Sequence, residues 1–372
     1  MASNIETIKR KLEHLEIVMN KDVNFPSECK DLYDSIKFVH QSLPMIDYDE
    51  IDLATTFLGY TLKAPLMITG MTGGHPESTT INRGLAKVAE KAGIAIGVGS
   101  QRAMIENPSQ EIVYSYKVVR EVAKNVPVIG NIGANTLREI SLRKVIDIVD
   151  EIKADALAIH FNPAQELIQP EGNVKFTSDI IEKIRELLDI IHVPVIVKEV
   201  GNGLSYDVVK IMSNIGVKYF DVSGACGTNW VIVESYRLSD ENKVELAKKL
   251  YTWGIPTPIA VIEARLANPS GFIIASGGVW SGLTAAINFA LSADMVGFAQ
   301  PILRCLLKNG VEGALKYIHE YVTELKSIMF LVGARKPIDL RKKPLYVFRD
   351  IREYLSSRGF DWSYFDKIRR MG

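Results

Sequence analysis

The sequence predicts an α/β fold of one architecture, a (β/α)8 TIM barrel, on three observations. Eight short apolar runs recur between residues 65 and 298, most of them β-branched or opened by proline. The segments between them space apolar residues three and four apart, the period of an amphipathic helix. The runs are continuous rather than alternating, which suits parallel strands buried on both faces. Eight such units over about 240 residues fit a closed barrel, whereas a doubly wound sheet would show a switch point and usually fewer units.

The strands are expected at Pro65–Thr69, Ala95–Val98, Pro127–Asn131, Ala156–His160, Pro194–Lys198, Tyr219–Val222, Gly271–Ala275 and Asp294–Phe298. Helices are expected over Asn82–Ala92, Gln110–Lys124, Leu137–Lys153, Ser178–Leu188, Ser205–Ile215 and Leu283–Leu291. Thr177 or Ser178 offers an N-cap, and Gly93 and Gly216 follow two helix ends. The connection from Ser223 to Ser270 is long, holds Trp230 and Trp253, and predicts helices at Lys243–Leu250 and Pro258–Leu266. Residues 1–64 read as an N-terminal extension, 65–310 as the barrel, and 311–372 as a helical C-terminal extension. In the last, helices are expected near Val311–Leu331 and Tyr346–Arg358. Neither end looks like an independent core, so the whole reads as one domain.

The chain has 372 residues, with 44 Lys and Arg against 44 Asp and Glu. That balance argues against a nucleic-acid coat or a polybasic membrane binder, both of which need excess positive charge. It hides a gradient, because residues 333–372 hold 11 Lys and Arg against 5 Asp and Glu. The three cysteines, Cys29, Cys226 and Cys305, are widely spaced and form no C-x-x-C pair. The expectation is therefore no disulfide framework, no structural zinc and a reducing, cytoplasmic setting. The N-terminus lacks the apolar core of a signal peptide. The uncharged stretch Leu266–Ala293 contains Asn268, Pro269 and Gly277-Gly278, so it reads as strand, turn and helix rather than a membrane span.

Active sites of such barrels lie at the C-terminal ends of the strands. Ser276-Gly-Gly278 and Gly297–Gln300, after the seventh and eighth runs, offer backbone N–H groups to a phosphate at a helix start. Lys198 ends the fifth run. It suits either an ion pair with Glu199 or Glu166, a Schiff base, or a positive charge beside an electron-rich ring. Thr69, Ser100, Asn131 and Thr228 surround it with short polar groups, which favours a flavin mononucleotide. His160-x-Asn162-x-x-Gln165-Glu166 gathers four polar groups at one strand end. Glu166 is a hard oxygen ligand suited to Mg²⁺ that also holds substrate phosphate oxygens. His160, Asn162 and Arg102 can donate to that phosphate. Arg10, Lys11 and His14 fall close to one face of a helix.

These segments resemble type 2 isopentenyl-diphosphate isomerases, their archaeal branch most closely. The likeness rests on Arg10-Lys-x-Glu-His14, Met71-Thr-Gly-Gly74, Ser100-Gln-Arg102, Gly130-Asn-Ile-Gly133 and His160-x-Asn-x-x-Gln-Glu166. Lys198–Gly203, Asp221–Gly224, Gly227–Trp230 and Ser276–Gly278 extend it over nearly the whole chain. The resemblance implies a cytoplasmic, homo-oligomeric enzyme, tetrameric or octameric, that uses reduced FMN, Mg²⁺ and NADPH or NADH as reductant. It implies a small diphosphate substrate, with no nucleic acid and no membrane as partner. It assigns substrate binding to Arg10, Lys11, His14, Ser100, Gln101, Arg102, His160, Asn162 and Gln165, and the metal to Glu166. It assigns FMN to Thr69, Gly70, Met71, Thr72, Ser100, Asn131, Lys198, Ser223, Thr228, Gly277, Gly278, Val279, Trp280, Ala299 and Gln300. Lys198 and Gln165 would support chemistry in which the reduced flavin is the acid–base group. Trp280, Cys226 and Gln300 depart from the family pattern and bear on cofactor affinity.

Two flavin-barrel rivals and one passive reading stand beside it. An α-hydroxy-acid oxidase needs a histidine in the loops after strands six and seven, and 223–230 and 276–282 contain none. A purine-nucleotide dehydrogenase uses a loop cysteine, and Cys226 sits near that place without a base beside it. A non-enzymatic flavin-binding barrel has no need of Gln165 and Glu166.

Overall fold

A computed structural model describes residues 2–26 and 28–371. All eight expected runs are strands of one closed barrel. They are β1 (Leu66–Ile68), β2 (Ala95–Gly97), β3 (Val128–Gly133), β4 (Ala156–Phe161), β5 (Val195–Glu199), β6 (Tyr219–Asp221), β7 (Phe272–Ala275) and β8 (Met295–Phe298). Every neighbouring pair is parallel and consecutive, and β8 closes on β1 with Val296 opposite Leu66. Leu66, Ile68, Ile94, Phe220 and Phe298 are buried in the core, each such side chain stabilising the fold by about 1.5–3 kcal/mol. The register sets one consequential row: His160 lies opposite Lys198, and Lys198 lies opposite Asp221.

Local chemistry fixes the helix ends. Gly93 takes a left-handed φ of 66° and donates its N–H to the carbonyls of Ala89 and Glu90, ending Ser78–Ala92. The expected helix over Leu137–Lys153 is two helices, Ala134–Glu139 and Leu142–Glu151. Extended backbone at Ile140 and Ser141 divides them, while the apolar spacing runs across the break and conceals it. The helix expected to begin near Val311 is the second arm of Gln300–Val332, bent at Gly310 where φ is 67°.

The C-terminal segment differs most from expectation. Leu345–Val347 is a strand, antiparallel to Ile36–Phe38, and the helix begins only at Arg349. The basic tail docks on acidic groups of the body. Arg335 meets Glu50 at 3.0 Å, Arg358 meets the buried Glu263 at 3.0 Å, and Arg341 meets Asp294 at 2.6 Å. Asp294 also holds Arg265 at 2.7 Å, so a single carboxylate serves two cations. The tail's charge excess is thus partly paired within one chain. Among the described residues, no helix is long and apolar enough to cross a membrane.

The disulfide expectation is overturned. Cys29 and Cys226, 197 residues apart, are bonded, with Cα atoms 5.3 Å apart. The N-terminal strap lies along the loop after β6, where Phe25 N–H donates to Gly227 at 2.9 Å and Asn229 N–H donates to Val23 at 2.7 Å. No local spacing could reveal a pair brought together by a strap crossing the barrel. Among the described residues Cys305 is the one free thiol. Thiol titration in denaturant should therefore find one reactive thiol before reduction and three after; three without reduction would contradict the bond. Closing so long a loop restricts the unfolded chain by on the order of 5 kcal/mol, so Cys29→Ser should lower the unfolding midpoint clearly.

Candidate functional site

A cavity of about 250 Å³ opens at the C-terminal mouth of the barrel. Thr69–Thr72, Ser100, Asn131, His160, Lys198, Ser223, Thr228, Gly277, Gly278, Trp280, Ala299 and Gln300 line it from the strand ends. Asn162, Gln165 and Glu166 close one side, with Arg102 nearby. The helix Ala2–Asn20 crosses the mouth and contributes Arg10, Lys11, His14, Leu15 and Val18. The topology thus brings together almost all the site residues the sequence singled out.

Gln101 and Val279 are the exceptions. Gln101 is fully buried beneath the site. It donates to Ile148 O at 2.8 Å and accepts from Asn131 N–H at 2.9 Å, so it supports Asn131 from behind. Val279 is also fully buried, and its carbonyl accepts from Tyr321 at 3.3 Å.

The floor is a buried charge cluster. Lys198 is 8% exposed and donates to the carbonyl of Glu199. Its ion-pair partner is Asp221, with 3.7 Å between Nζ and Oδ2, and not the carboxylates of Glu199 or Glu166 that sequence proximity suggested. Burial pushes the Asp221 carboxyl upward, against Lys198 and against Ser276, whose hydroxyl donates to Oδ1 at 2.5 Å. The Glu199 carboxylate turns away, taking the N–H groups of Val200, Gly201, Asn202 and Gly203 on Oε2. Burial still raises it to about 7.

His160 is neutral in this setting. Burial first, then the positive charges of Lys198 and Arg10, hold its imidazole down at about 3. Its Nδ1 lies 2.8 Å from Asn131 Oδ1, which places the proton on Nδ1 and leaves Nε2 an acceptor. It does not belong among the cations of an anion site unless an arriving anion raises its basicity.

The expected anion cradle also changes in detail. The helix Gly282–Ala290 begins with a capping box of Ser281 and Thr284. Glu324 accepts from its first N–H groups, Gly282 at 2.9 Å and Leu283 at 3.2 Å. That helix start is already occupied by a carboxylate. The open positions are Gly277 and Gly278 themselves and the start of Gln300–Val332. Both glycines have positive φ, 92° and 77°, and a Cβ would strike Gly224 O at 2.1 Å or Cys226 O at 2.0 Å. Gln300 is buried, and its Nε2 has no partner although it lines the cavity. Trp280 also lines the cavity, held by its carbonyl to Tyr317 at 2.8 Å.

On the opposite wall, Asn162 Nδ2 donates to Gln165 Oε1 at 3.1 Å and to Glu166 Oε1 at 3.0 Å. Glu166 Oε2 accepts from Asn173 N–H at 2.6 Å. Gln165 donates in turn to Glu234 Oε1 at 2.8 Å. Glu234 was not among the predicted residues. It is completely buried, Arg237 donates to it at 2.7 Å, and His14 Nε2 lies 2.8 Å away. Burial alone would raise its carboxyl, but His14, Gln165 and Arg237 hold it at about 2. A single acid closing the apolar run Trp230-Val-Ile-Val-Glu234 was the available signal. Among the described residues no three His, Cys, Asp or Glu side chains gather as a metal cage. A cation at Glu166 would depend on oxygen ligands from its substrate and water.

Lys11 lines the cavity and is tied to the loops beside it. Its ammonium donates to Gly73 O, to Ser100 O at 3.1 Å and to Tyr116 Oη at 2.8 Å, which uses its three protons. Burial, then Arg10, lowers it to about 7. Arg10 itself meets Glu171 at 3.3 Å, and Arg102 meets Glu106 at 2.6 Å.

Comparison with known proteins gives one consistent picture. Residues 133–347 match the FMN-dependent dehydrogenase family. The chain is 42% identical over 370 residues to a Sulfurisphaera tokodaii protein named isopentenyl-diphosphate delta-isomerase, covering 99% of each. It is 44% identical over 366 residues to a Pyrococcus furiosus protein of the same name, covering 96% of this chain and 91% of that one. Among solved structures, a Pediococcus acidilactici lactate oxidase superposes with a TM-score of 0.64 at 15% identity, covering 88% of each chain. A flavocytochrome b2 superposes with a TM-score of 0.64 at 17% identity, covering 91% of this chain and 82% of that one. At such identity the two structures speak to the fold alone.

The His160 environment predicts a pH dependence. Its folded value of about 3 lies below the ordinary 6.5, so the unfolded chain binds a proton that the folded protein excludes. Its contribution is complete above pH 6.5 and is lost as pH falls from 6.5 towards 3, with a slope of at most about 1.4 kcal/mol per pH unit. Urea unfolding across that window should show a shallower acid limb for His160→Gln than for the parent. Equal slopes would contradict the neutral assignment.

Proposed function

The chain belongs to the isopentenyl-diphosphate delta-isomerases within the FMN-dependent dehydrogenase family, and on that premise we propose that it interconverts isopentenyl and dimethylallyl diphosphate with FMN as cofactor. The observation that carries this reading is that Asn162, Gln165 and Glu166, braced from behind by the buried Glu234, line the same cavity as Lys198. A hydroxy-acid oxidase has no use for it and needs a loop histidine where 223–230 and 276–282 have none. The cysteine route is closed too, since Cys226 is bonded to Cys29.

The residues present fit FMN. The cavity-lining backbone at Gly277 and Gly278 and the unpartnered Gln300 amide suit its phosphate. Thr69, Ser100, Asn131, Ser223 and Thr228 offer short polar groups to a flat ring, and Lys198 supplies the positive charge beside it. When bound and reduced, FMN supplies an electron-rich ring with exchangeable protons for a reaction that has no net redox change.

The chain's own residues then bind and orient. Arg10, Arg102 and Ser100 hold the diphosphate from the mouth, and Asn162 orients Gln165 and Glu166. Glu166 would hold Mg²⁺, whose charge would add attraction for the diphosphate. Leu15, Val18 and Trp230 border the cavity with apolar surface for the five-carbon group and exclude water. Gln165, its amide held between Asn162 and Glu234, lines the cavity wall. The diphosphate clamp spends remote binding energy on holding an unactivated alkene in place. The nicotinamide reductant, the homo-oligomer and the cytoplasmic location rest on the family likeness alone.

The test is direct. The purified protein with FMN and Mg²⁺, reduced anaerobically and given isopentenyl diphosphate, should form dimethylallyl diphosphate. No product, with oxidation of a 2-hydroxy acid instead, would overturn the reading. Glu166→Gln should cut turnover by about tenfold or more and raise the Mg²⁺ requirement, the scale on which altered metal shells act. An unchanged Mg²⁺ titration would remove Glu166 as the ligand.

A further inference from the structure

We infer that Tyr116 is a positioning residue for the anion site, acting through Lys11 to latch the N-terminal helix across the cavity mouth. The inference rests on the isomerase reading for its substrate, but its geometry stands apart from it.

Tyr116 is fully buried on the helix Gln110–Val122, outside the ring of cavity-lining residues. Its hydroxyl does two things at once. It donates to Ser100 O at 2.5 Å and accepts from Lys11 Nζ at 2.8 Å. Lys11 also donates to Ser100 O and Gly73 O, so one ammonium joins the N-terminal helix to the loops after β1 and β2. The ammonium sits 5.3 Å from the centre of the Tyr116 ring, which adds a cation–π contact.

The backbone around this point is shaped to admit it. Gly73 has φ +142°, and a Cβ there would lie 2.2 Å from Tyr116 Cε1. At Gly74, with φ +82°, a Cβ would lie 2.6 Å from Lys11 Nζ and 2.7 Å from Tyr116 Oη. Two consecutive glycines thus leave room for a buried tyrosine and the lysine it receives.

The consequence concerns the neighbours of Lys11. The Lys11 ammonium is held by Gly73 O, Ser100 O and Tyr116 Oη while it lines the cavity. What it fixes is the helix that brings Arg10 and His14 to the cavity. A merely structural tyrosine would affect stability; a positioning one affects how anions bind.

The experiment uses the full chain loaded with FMN and compares the parent with Tyr116→Phe, Lys11→Gln and the double variant. Inorganic pyrophosphate affinity by calorimetry and the KM for isopentenyl diphosphate should weaken about fivefold in Tyr116→Phe, the factor one lost hydrogen bond carries. The expected kcat stays within about twofold, the FMN affinity is unchanged, and the double variant is no weaker than Lys11→Gln alone. Limited proteolysis within residues 1–20 should be faster in Tyr116→Phe. Unchanged affinity and proteolysis would overturn the latch, as would additive effects in the double variant. A lower melting temperature with kcat, KM and pyrophosphate affinity all unchanged would do the same, by making Tyr116 structural only. If the parent binds pyrophosphate and shows the proteolysis difference but forms no dimethylallyl diphosphate, the isomerase reading fails and the latch stands.

Discussion

The site is organised around a buried ammonium. Lys198 ends β5 with 8% of its surface exposed, and a charge so placed must be paired or it costs several kcal/mol. The barrel register answers that demand from one side by placing Asp221 on β6 opposite it. Ser276, from the end of β7, holds the far oxygen of Asp221. From the other side the same register places His160, and burial with Lys198 keeps that imidazole neutral. The outcome is one fixed positive charge at the cavity floor, next to a neutral ring whose free nitrogen is an acceptor. Lys198 and Asp221 at 3.7 Å are in loose contact, so the charge is only partly neutralised and remains available to a ligand.

The mouth follows a different logic, that of elements brought in from the ends of the chain. The N-terminal helix supplies Arg10, Lys11 and His14, and the strap after it is sewn to the β6 loop by backbone hydrogen bonds and the Cys29–Cys226 bond. That loop carries Thr228 and touches Gly278 through Cys226. The strap therefore stabilises the place where a cofactor phosphate would rest. The basic tail does comparable work at the other end of the barrel, where Arg341 and Arg265 share Asp294 at the start of β8.

Much of this was legible from residues alone. Continuous apolar runs fixed the eight strands, because burial on both faces leaves no other pattern. The strand ends named the lining, because a barrel exposes those ends to one cavity. What stayed hidden was decided by tertiary pairing. Cys29 meets Cys226 only because a strap crosses the barrel. Leu345–Val347 became a strand because Ile36–Phe38 offered an edge. Gln101 sits in a motif that reads as a ligand set, yet it lies behind the cavity with its amide spent on Ile148 and Asn131; the contacts of Lys11 with Gly73, Ser100 and Tyr116 likewise exist only in the fold. Glu234 escaped notice because its role exists only through Gln165, His14 and Arg237.

In the proposed function the Lys198 charge serves an electron-rich ring at the cavity floor, and the midpoint potential of bound FMN tests that role. A cation beside the ring stabilises the anionic reduced form more than the oxidised one. Replacing Lys198 with Met should lower the two-electron potential by on the order of 30 mV or more, about 1.4 kcal/mol. A potential unchanged in Lys198→Met, with FMN still bound, would contradict the account.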